Sequence, residues 1–77
     1  MKAQDYPPAV LDLIAALRSM PGIGSRGAER HALWFLRQGR QEALHLAEAL
    51  TRAAEEVGYC PQCGFFAAKG ELCTACS

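Results

Sequence analysis

The sequence predicts a small, mostly α protein in which about three helices are followed by a short cysteine-rich knuckle. Three observations support this fold class. Apolar residues recur with helical spacing as far as Val57, glycine and proline interrupt that spacing, and all four cysteines lie in the last 18 positions of the 77-residue chain. Because a chain this short buries little apolar surface, we expect the cysteines to stabilise it, through a metal ion or through disulfides.

Helix one is predicted to start around Pro7 and Pro8 and to run to about Ser19. Pro7 and Pro8 suit a helix start, and an apolar stripe with a period of about 3.6 residues follows. The stripe consists of Val10, Leu13, Ile14 and Leu17. Pro21 cannot continue the helix, so the sequence Pro-Gly-Ile-Gly is expected to form a tight connection to the next helix.

Helix two is predicted over Ser25 to Arg37, and Gly39 is expected to close it. One side of this helix is apolar and consists of Ala28, Ala32, Phe35 and Leu36. The nearly opposite side carries Arg26, Arg30 and Arg37. Leu33 and Trp34 lie outside the apolar arc, and a three-helix unit of this size is not expected to cover both.

Helix three is predicted from about Gln41 to Val57, with Gly58 as its C-cap. Its apolar face consists of Ala43, Leu46, Ala47, Leu50, Ala53, Ala54 and Val57. Acidic residues occupy the other face and are expected to be solvated. The tail from Tyr59 to Ser77 has room only for a short strand or turn.

The net charge is zero, with eight basic and eight acidic residues, but the charges are unevenly distributed. Met1 to Arg40 carries a surplus of three positive charges, and the rest of the chain carries a deficit of three. This asymmetry indicates a local anion-binding surface in the N-terminal half. Residues 1–8 do not read as a secretory signal, and no apolar run has membrane-spanning length. A soluble protein in a reducing cytoplasm is therefore expected.

The cysteines form two Cys-x-x-Cys pairs separated by nine residues, namely Cys60 with Cys63 and Cys73 with Cys76. Two such pairs supply the four thiolates that a tetrahedral zinc ion prefers. Two redox motifs or two disulfides are the alternatives, but the first expects a βαβ context and the second an oxidising compartment. The spacing therefore predicts one zinc ion. Four thiolates leave no open coordination position, so its role is expected to be structural.

The Pro-Gly-Ile-Gly connection is a candidate anion site. The first backbone N–H groups of helix two have no helical acceptor, and Gly22 and Gly24 leave room for a phosphate. Arg26 and Arg30 stand beside this opening. Such a site holds a phosphate without reading a base, which favours nucleic-acid binding independent of sequence. A plain glycine turn with solvated arginines is the alternative, because short glycine motifs often match by chance.

The segment from Leu17 to Arg30, followed by an acidic helix, Cys-Pro-x-Cys and Cys-x-x-Cys, resembles the N-terminal part of the RecR family of bacterial recombination mediators. Tyr6-Pro7-Pro8 and the stretch at residues 46–50 are similar to it too. The resemblance spans nearly the whole chain. It implies a helix-hairpin-helix module at residues 1–58 joined to a zinc finger at residues 59–77, without the Toprim domain and C-terminal segment of the family.

The resemblance also implies a function. Family members act in recombinational DNA repair without being enzymes, assemble into ring-like clamps around DNA, and work with RecO and in some settings RecF. The basic hairpin residues of the family correspond to Arg26, where a lysine is usual, and to Arg30. Gly22, Gly24 and Arg37 complete the set of predicted DNA-binding residues.

Three hairpin residues depart from the family pattern. Ser25 replaces a proline, Gly27 replaces a serine, and Glu29 replaces a glutamine and so places a negative charge between two arginines. These changes are expected to weaken DNA affinity without abolishing it.

Several apolar residues complete the interpretation. Hairpin modules of the family pair with each other, so Leu33 and Trp34 are predicted to contribute to a dimer. Phe65 and Phe66 are expected to cover the zinc knuckle, and Tyr59 is expected to pack between that knuckle and helix three. The chain is thus interpreted as a cytoplasmic, nucleoid-associated, non-enzymatic protein that binds DNA and itself. The alternative is a zinc-knuckle protein-interaction module without DNA contact.

Overall fold

A computed structural model of the protein describes residues 5–77. The elements are three helices, α1 (Pro8–Arg18), α2 (Ser25–Arg37) and α3 (Arg40–Glu56), and two strands, β1 (Val57–Tyr59) and β2 (Phe66–Ala68). The predicted mostly α class with a terminal cysteine cluster is confirmed. Residue contacts divide the chain into two units, residues 1–43 and 44–77. Lys2, part of the predicted basic surplus, lies outside the described residues.

Helix α1 begins where the prolines predict. Pro8 occupies its first turn, where a missing N–H costs nothing, and the Pro7 carbonyl accepts hydrogen bonds from the N–H groups of Val10 and Leu11. The helix ends at Arg18, and the Ser19 hydroxyl donates to the Ala16 carbonyl at 2.6 Å. The last turn is therefore closed locally, before Pro21.

Helix α2 packs against α1 through small side chains. Ala28 and Ala32 are completely buried, whereas Phe35 and Leu36 on the same side are half-buried. Alanines at a helix contact let two backbones approach closely, which fits the short connection between α1 and α2. The apolar side predicted for this helix is thus the side that is covered.

The ring of Trp34 lies over Gly39, between α2 and α3. A Cβ atom added at Gly39 would stand 2.6 Å from Cζ3 of Trp34, which is closer than real Cβ contacts. The Gly39 N–H also donates to the Trp34 carbonyl at 3.1 Å, and the Gly39 carbonyl accepts from the Ala43 N–H at 2.8 Å. A glycine is needed here because the indole approaches closely; its backbone angles are ones that other residues also adopt.

Replacing Gly39 with alanine is expected to destabilise the chain by about 1–3 kcal/mol, because the indole must leave its place. The matched control is Gly27→Ala within α2, where an added Cβ meets only Ile23 at 3.8 Å. That change is expected to stabilise by about 0.5–1 kcal/mol. Urea unfolding followed by Trp34 fluorescence measures both, since Trp34 is the one tryptophan in the chain. An unaltered midpoint and emission spectrum for Gly39→Ala would contradict the packing described.

Helix α3 is amphipathic, but its apolar side chains are exposed. Leu44 is 74% exposed, Leu50 is 62% exposed and Leu46 is 44% exposed. On the polar side, Arg52 lies 3.6 Å from both Glu48 and Glu56, in pairs worth only a few tenths of a kcal/mol each, about the value for exposed pairs. In the described part of the chain, the predicted apolar face of this helix is exposed from Leu46 to Ala54, and only Ala43 at its start is half-buried.

The chain passes directly from α3 into a two-stranded antiparallel hairpin. Val57 pairs with Ala68, Gly58 with Ala67 and Tyr59 with Phe66. The Lys69 N–H donates to the Glu56 carbonyl at 3.0 Å and extends this ladder. The prediction that Gly58 caps α3 is therefore wrong, because strand pairing satisfies the backbone groups that a cap would otherwise serve.

Buried side chains are few in the part of the chain that the structure describes. Apart from Gly39, the buried residues are Ala28, Ala32, Cys60 and Cys73, and no large side chain is fully buried. One unit therefore has an alanine core and the other a cysteine core. Among the described residues, no helix is both long enough and apolar enough to cross a membrane.

Candidate metal centre and nucleic-acid interface

The four cysteines converge at the end of the hairpin where the loop at residues 60–65 joins β1 to β2. The Gly64 N–H donates to the Cys60 carbonyl at 2.8 Å, and the Cys60 N–H donates to the Phe65 carbonyl at 2.6 Å. Gly64 has φ 83°, a conformation that favours glycine and allows this tight turn. In the second pair, the N–H groups of Cys76 and Ser77 both donate to the Cys73 carbonyl. Each Cys-x-x-Cys pair is thus folded into its own turn.

The spacing of the sulfurs fits a tetrahedral metal ion. All four Sγ atoms lie within 4.8 Å of one another, and those of Cys63 and Cys73 are 3.5 Å apart. A tetrahedron with metal–sulfur bonds of about 2.3 Å has sulfur–sulfur edges of about 3.8 Å. Cys60 and Cys73 are 97% buried, whereas Cys63 is exposed and Cys76 is half-buried. These residues could hold one metal ion with no coordination position left for a substrate.

The thiols of the cluster differ in acidity. The Cys73 N–H is the main cause that lowers the pKa of Cys60, to about 6. A hydrogen bond from the Phe65 N–H lowers the pKa of Cys63, but the neighbouring thiols of Cys73 and Cys76 outweigh it and raise that pKa to about 11. The Cys73 thiol likewise raises the pKa of Cys76. Ionisation of several thiols in this small space is therefore unfavourable unless a cation neutralises their negative charges.

We expect metal affinity to rise with pH across the neutral range. Cys63 and Cys76, with raised pKa values, must each lose a proton on binding, whereas Cys60 has already lost its proton above its pKa of about 6. Each displaced proton changes the apparent affinity by about tenfold per pH unit. Competition against a chromophoric chelator at several pH values measures this slope, and an affinity independent of pH would contradict it.

The connection between α1 and α2 is a tight turn with open space around its glycines. The Ile23 N–H donates to the Met20 carbonyl at 3.3 Å, and Gly22 has φ 81°, as the third residue of a type II turn does. A Cβ added at Gly22 or Gly24 would meet no atom within 4 Å. A ligand can therefore approach this backbone closely.

The start of α2 offers unsatisfied donors next to this turn. Gly24 is the N-cap residue and has no side chain to accept from the first N–H groups of the helix; its carbonyl accepts from the Ala28 N–H at 2.9 Å. Arg26 and Arg30 are exposed on the first two turns, and neither has an ion pair within residues 5–77. Free N–H groups, the positive end of a helix dipole and two guanidinium groups thus lie close together.

Arg37 and Glu29, which the sequence also places at the predicted DNA-binding surface, are not directed to the start of α2. Arg37 is exposed in the last turn of α2, about 16 Å along the helix axis from Arg26 at 1.5 Å per residue. The carboxylate of Glu29 accepts a hydrogen bond from the Tyr6 hydroxyl at 2.9 Å, which raises the pKa of Tyr6. The negative charge of Glu29 is therefore directed to a partner outside α2.

The residues predicted for a dimer, Leu33 and Trp34, are adjacent on α2 but differ in exposure. Leu33 is half-buried, whereas Trp34 is 44% exposed and contacts Phe35 edge to face, with ring centroids 5.1 Å apart. Part of the indole surface is therefore available to another molecule, although the ring also covers Gly39.

The three aromatic residues of the knuckle are not where the sequence predicted. Tyr59, Phe65 and Phe66 are all mostly exposed, so they do not form a buried core. The prediction of a small aromatic core was wrong because strand alternation turns Tyr59 and Phe66 to the outer face of the hairpin. Sequence reasoning also missed the contact of Tyr6 with Glu29, which joins residues 23 positions apart and leaves no local signal.

Comparison with known proteins gives consistent matches. The family model described as RecR, helix-hairpin-helix, matches residues 10–54. A protein of Stutzerimonas stutzeri (strain A1501) named Recombination protein RecR is 47% identical over 72 residues, which cover 94% of this chain and 36% of the relative. Its namesake from Halorhodospira halophila (strain DSM 244 / SL1) is 42% identical over 72 residues, with 94% and 35% covered. The chain spans about a third of the length of these curated relatives.

Proposed function

This chain belongs to the RecR family, and on that premise we propose that it binds DNA without sequence specificity and associates with itself as part of a recombinational DNA-repair mediator. One observation carries the DNA-binding proposal. The open glycine turn, the uncapped start of α2 and the exposed guanidinium groups of Arg26 and Arg30 lie together. These groups bind a phosphate and contact no base.

The metal proposed for the cysteine cluster is one structural zinc ion. Four thiolates whose sulfurs lie within 4.8 Å of one another suit zinc, and the reducing cytoplasm expected for a recombination protein disfavours disulfides. When bound, the ion supplies positive charge and cross-links the two turns. In this proposal residues 59–77 form the zinc finger and residues 1–58 the DNA-binding and dimerisation module.

Self-association is proposed because a single copy offers few phosphate contacts. With about two or three contacts per copy, one module binds DNA weakly at physiological salt. Several copies held in a clamp raise the effective concentration of every module. RecO, and in some settings RecF, are proposed as further partners in the nucleoid, and no catalytic role is assigned.

We expect the chain to form a dimer through Leu33 and Trp34 at high protein concentration. Leu33→Lys is expected to shift it to monomer in sedimentation equilibrium, because a charge would be placed in an apolar contact. The matched control is Leu44→Lys on α3, at a leucine outside the predicted contact. A wild-type monomer at high concentration, or equal dissociation by both variants, would count against this interface.

The proposed function is tested by fluorescence anisotropy with a short single strand and a short duplex. Binding is expected to weaken steeply with salt, with a log–log slope of about 0.9 per phosphate contact on duplex. The alternative, a zinc-knuckle protein-interaction module, predicts no signal at any salt concentration. The exposure of the aromatic residues of the knuckle is the observation that favours this alternative.

A further inference from the structure

We propose that the outer face of the hairpin binds a protein segment that combines basic residues with large apolar anchors. This surface, called here the aromatic face, consists of Val57, Tyr59, Phe66 and Ala68. It goes beyond DNA binding, and it uses none of the residues of the connection between α1 and α2.

The aromatic face is continuous and apolar. Tyr59 and Phe66 are paired across the strands, and their rings stack with centroids 5.8 Å apart. They are 73% and 62% exposed, and Phe65 extends the surface with its centroid 5.5 Å from that of Phe66. Large apolar side chains gathered on one face are typical of sites that another molecule covers.

The aromatic face is held in place before any partner binds. Tyr59 directly precedes the buried Cys60, whose N–H donates to the Phe65 carbonyl, so the cysteine cluster and the hairpin fix each other. On the inner face, the half-buried Gly58 and Ala67 form the middle pair of the ladder. Aromatic side chains on a fixed backbone lose little conformational entropy on binding.

The net charge of the unit that carries the aromatic face favours one kind of partner. Residues 44–77 contain four acidic residues and two basic ones, which gives a net charge of −2. They are Glu48, Glu55, Glu56 and Glu71 against Arg52 and Lys69. Arg52 is itself within 3.6 Å of both Glu48 and Glu56.

The negative net charge of residues 44–77 disfavours two other ligands of the aromatic face, namely single-stranded DNA and a second copy of this chain. A platform that stacks the bases of single-stranded DNA needs a positively charged groove along the backbone, and this unit has the opposite net charge. The same unit of a second copy would bring like charges together. A basic segment with apolar anchors satisfies both the aromatic face and the acidic residues, so it is the occupant that we assign.

The test uses the metal-loaded 77-residue chain and three labelled probes: a Leu/Lys amphipathic peptide, a Leu/Glu peptide of the same apolar content, and an oligothymidylate. The Leu/Lys peptide is expected to bind and the Leu/Glu peptide is not. Tyr59→Ser with Phe66→Ser is expected to weaken Leu/Lys binding by roughly tenfold or more, as removal of central aromatic anchors does. The matched control, Leu44→Ser with Leu50→Ser, removes exposed leucines elsewhere in the same unit and is expected to change nothing.

A second variant tests the charge independently of the aromatic residues. Glu55→Gln with Glu56→Gln is expected to weaken Leu/Lys binding and to reduce its salt dependence, with metal content unchanged. Three outcomes would overturn the proposal: equal binding of both peptides, oligothymidylate binding abolished in the aromatic variant, or self-association abolished in that variant. The second would make the face a nucleic-acid platform and the third a contact between copies. The DNA-binding site proposed at Arg26 and Arg30 is tested separately, with a variant that changes only those two residues.

Discussion

Replacing Arg26 and Arg30 together with glutamate is expected to abolish detectable DNA binding at physiological salt while leaving the helices folded. Both guanidinium groups are exposed and have no ion pair in the described part of the chain, so their removal costs the fold little. Each glutamate replaces attraction to a phosphate by repulsion. We therefore expect the affinity to fall by about a hundredfold or more, and the salt slope to decrease by about one for each arginine–phosphate interaction removed.

The control for the effect of charge is an Arg→Glu substitution elsewhere in the chain. Arg30→Glu alone is compared with Arg52→Glu, which alters the net charge of the chain equally but lies on α3 among acidic residues. Only Arg30→Glu is expected to weaken binding of a short duplex at low salt. Far-UV circular dichroism checks that the helices persist. Unchanged binding by the double variant, or equal weakening by Arg52→Glu, would refute the assignment of this site.

Replacing Cys73 with serine is expected to release the metal and unfold the hairpin while α1 and α2 remain. Cys73 is 97% buried, and its carbonyl accepts two hydrogen bonds from the second turn. Metal binding in small cysteine-ligated modules contributes about 10–16 kcal/mol of apparent free energy, which exceeds anything that a three-residue strand pair supplies alone. Chelation of the wild-type protein is expected to give the same result.

Three measurements distinguish this outcome from general unfolding. Metal content is expected to fall from one per chain to none, and the amide signals of β1 and β2 are expected to collapse while those of α1 and α2 keep their dispersion. Thr74→Ser, in the same turn but without a ligand change, is the control. If Cys73→Ser keeps one metal ion and an intact hairpin, the cluster does not hold the knuckle together.

Periodicity predicted the helices well because each helix depends on local signals. The predicted range of α2 agrees with the structure at both ends, and α3 begins one residue earlier than expected. Pro8, Gly24 and Gly39 mark boundaries through missing donors or missing side chains, which the sequence states directly. The four cysteines also meet as their spacing predicts.

Which side chains are buried and which are exposed could not be predicted in the same way. A strand of three residues has no period to detect, so Gly58 looked like a helix cap although it pairs with Ala67. The same uncertainty hid which face of the hairpin carries Phe66. Likewise, the apolar pattern of α3 predicts an apolar face but does not tell whether another part of the chain covers that face.

The small buried core described above sets the thermal behaviour of the chain. The heat capacity rises on unfolding in proportion to the apolar surface that becomes wet, and here two alanines and two cysteines are the buried apolar side chains of residues 5–77. Calorimetry of the isolated chain should therefore show a broad, shallow endotherm. A sharp endotherm at higher protein concentration would then report that association has covered leucines and aromatic rings that one copy leaves wet.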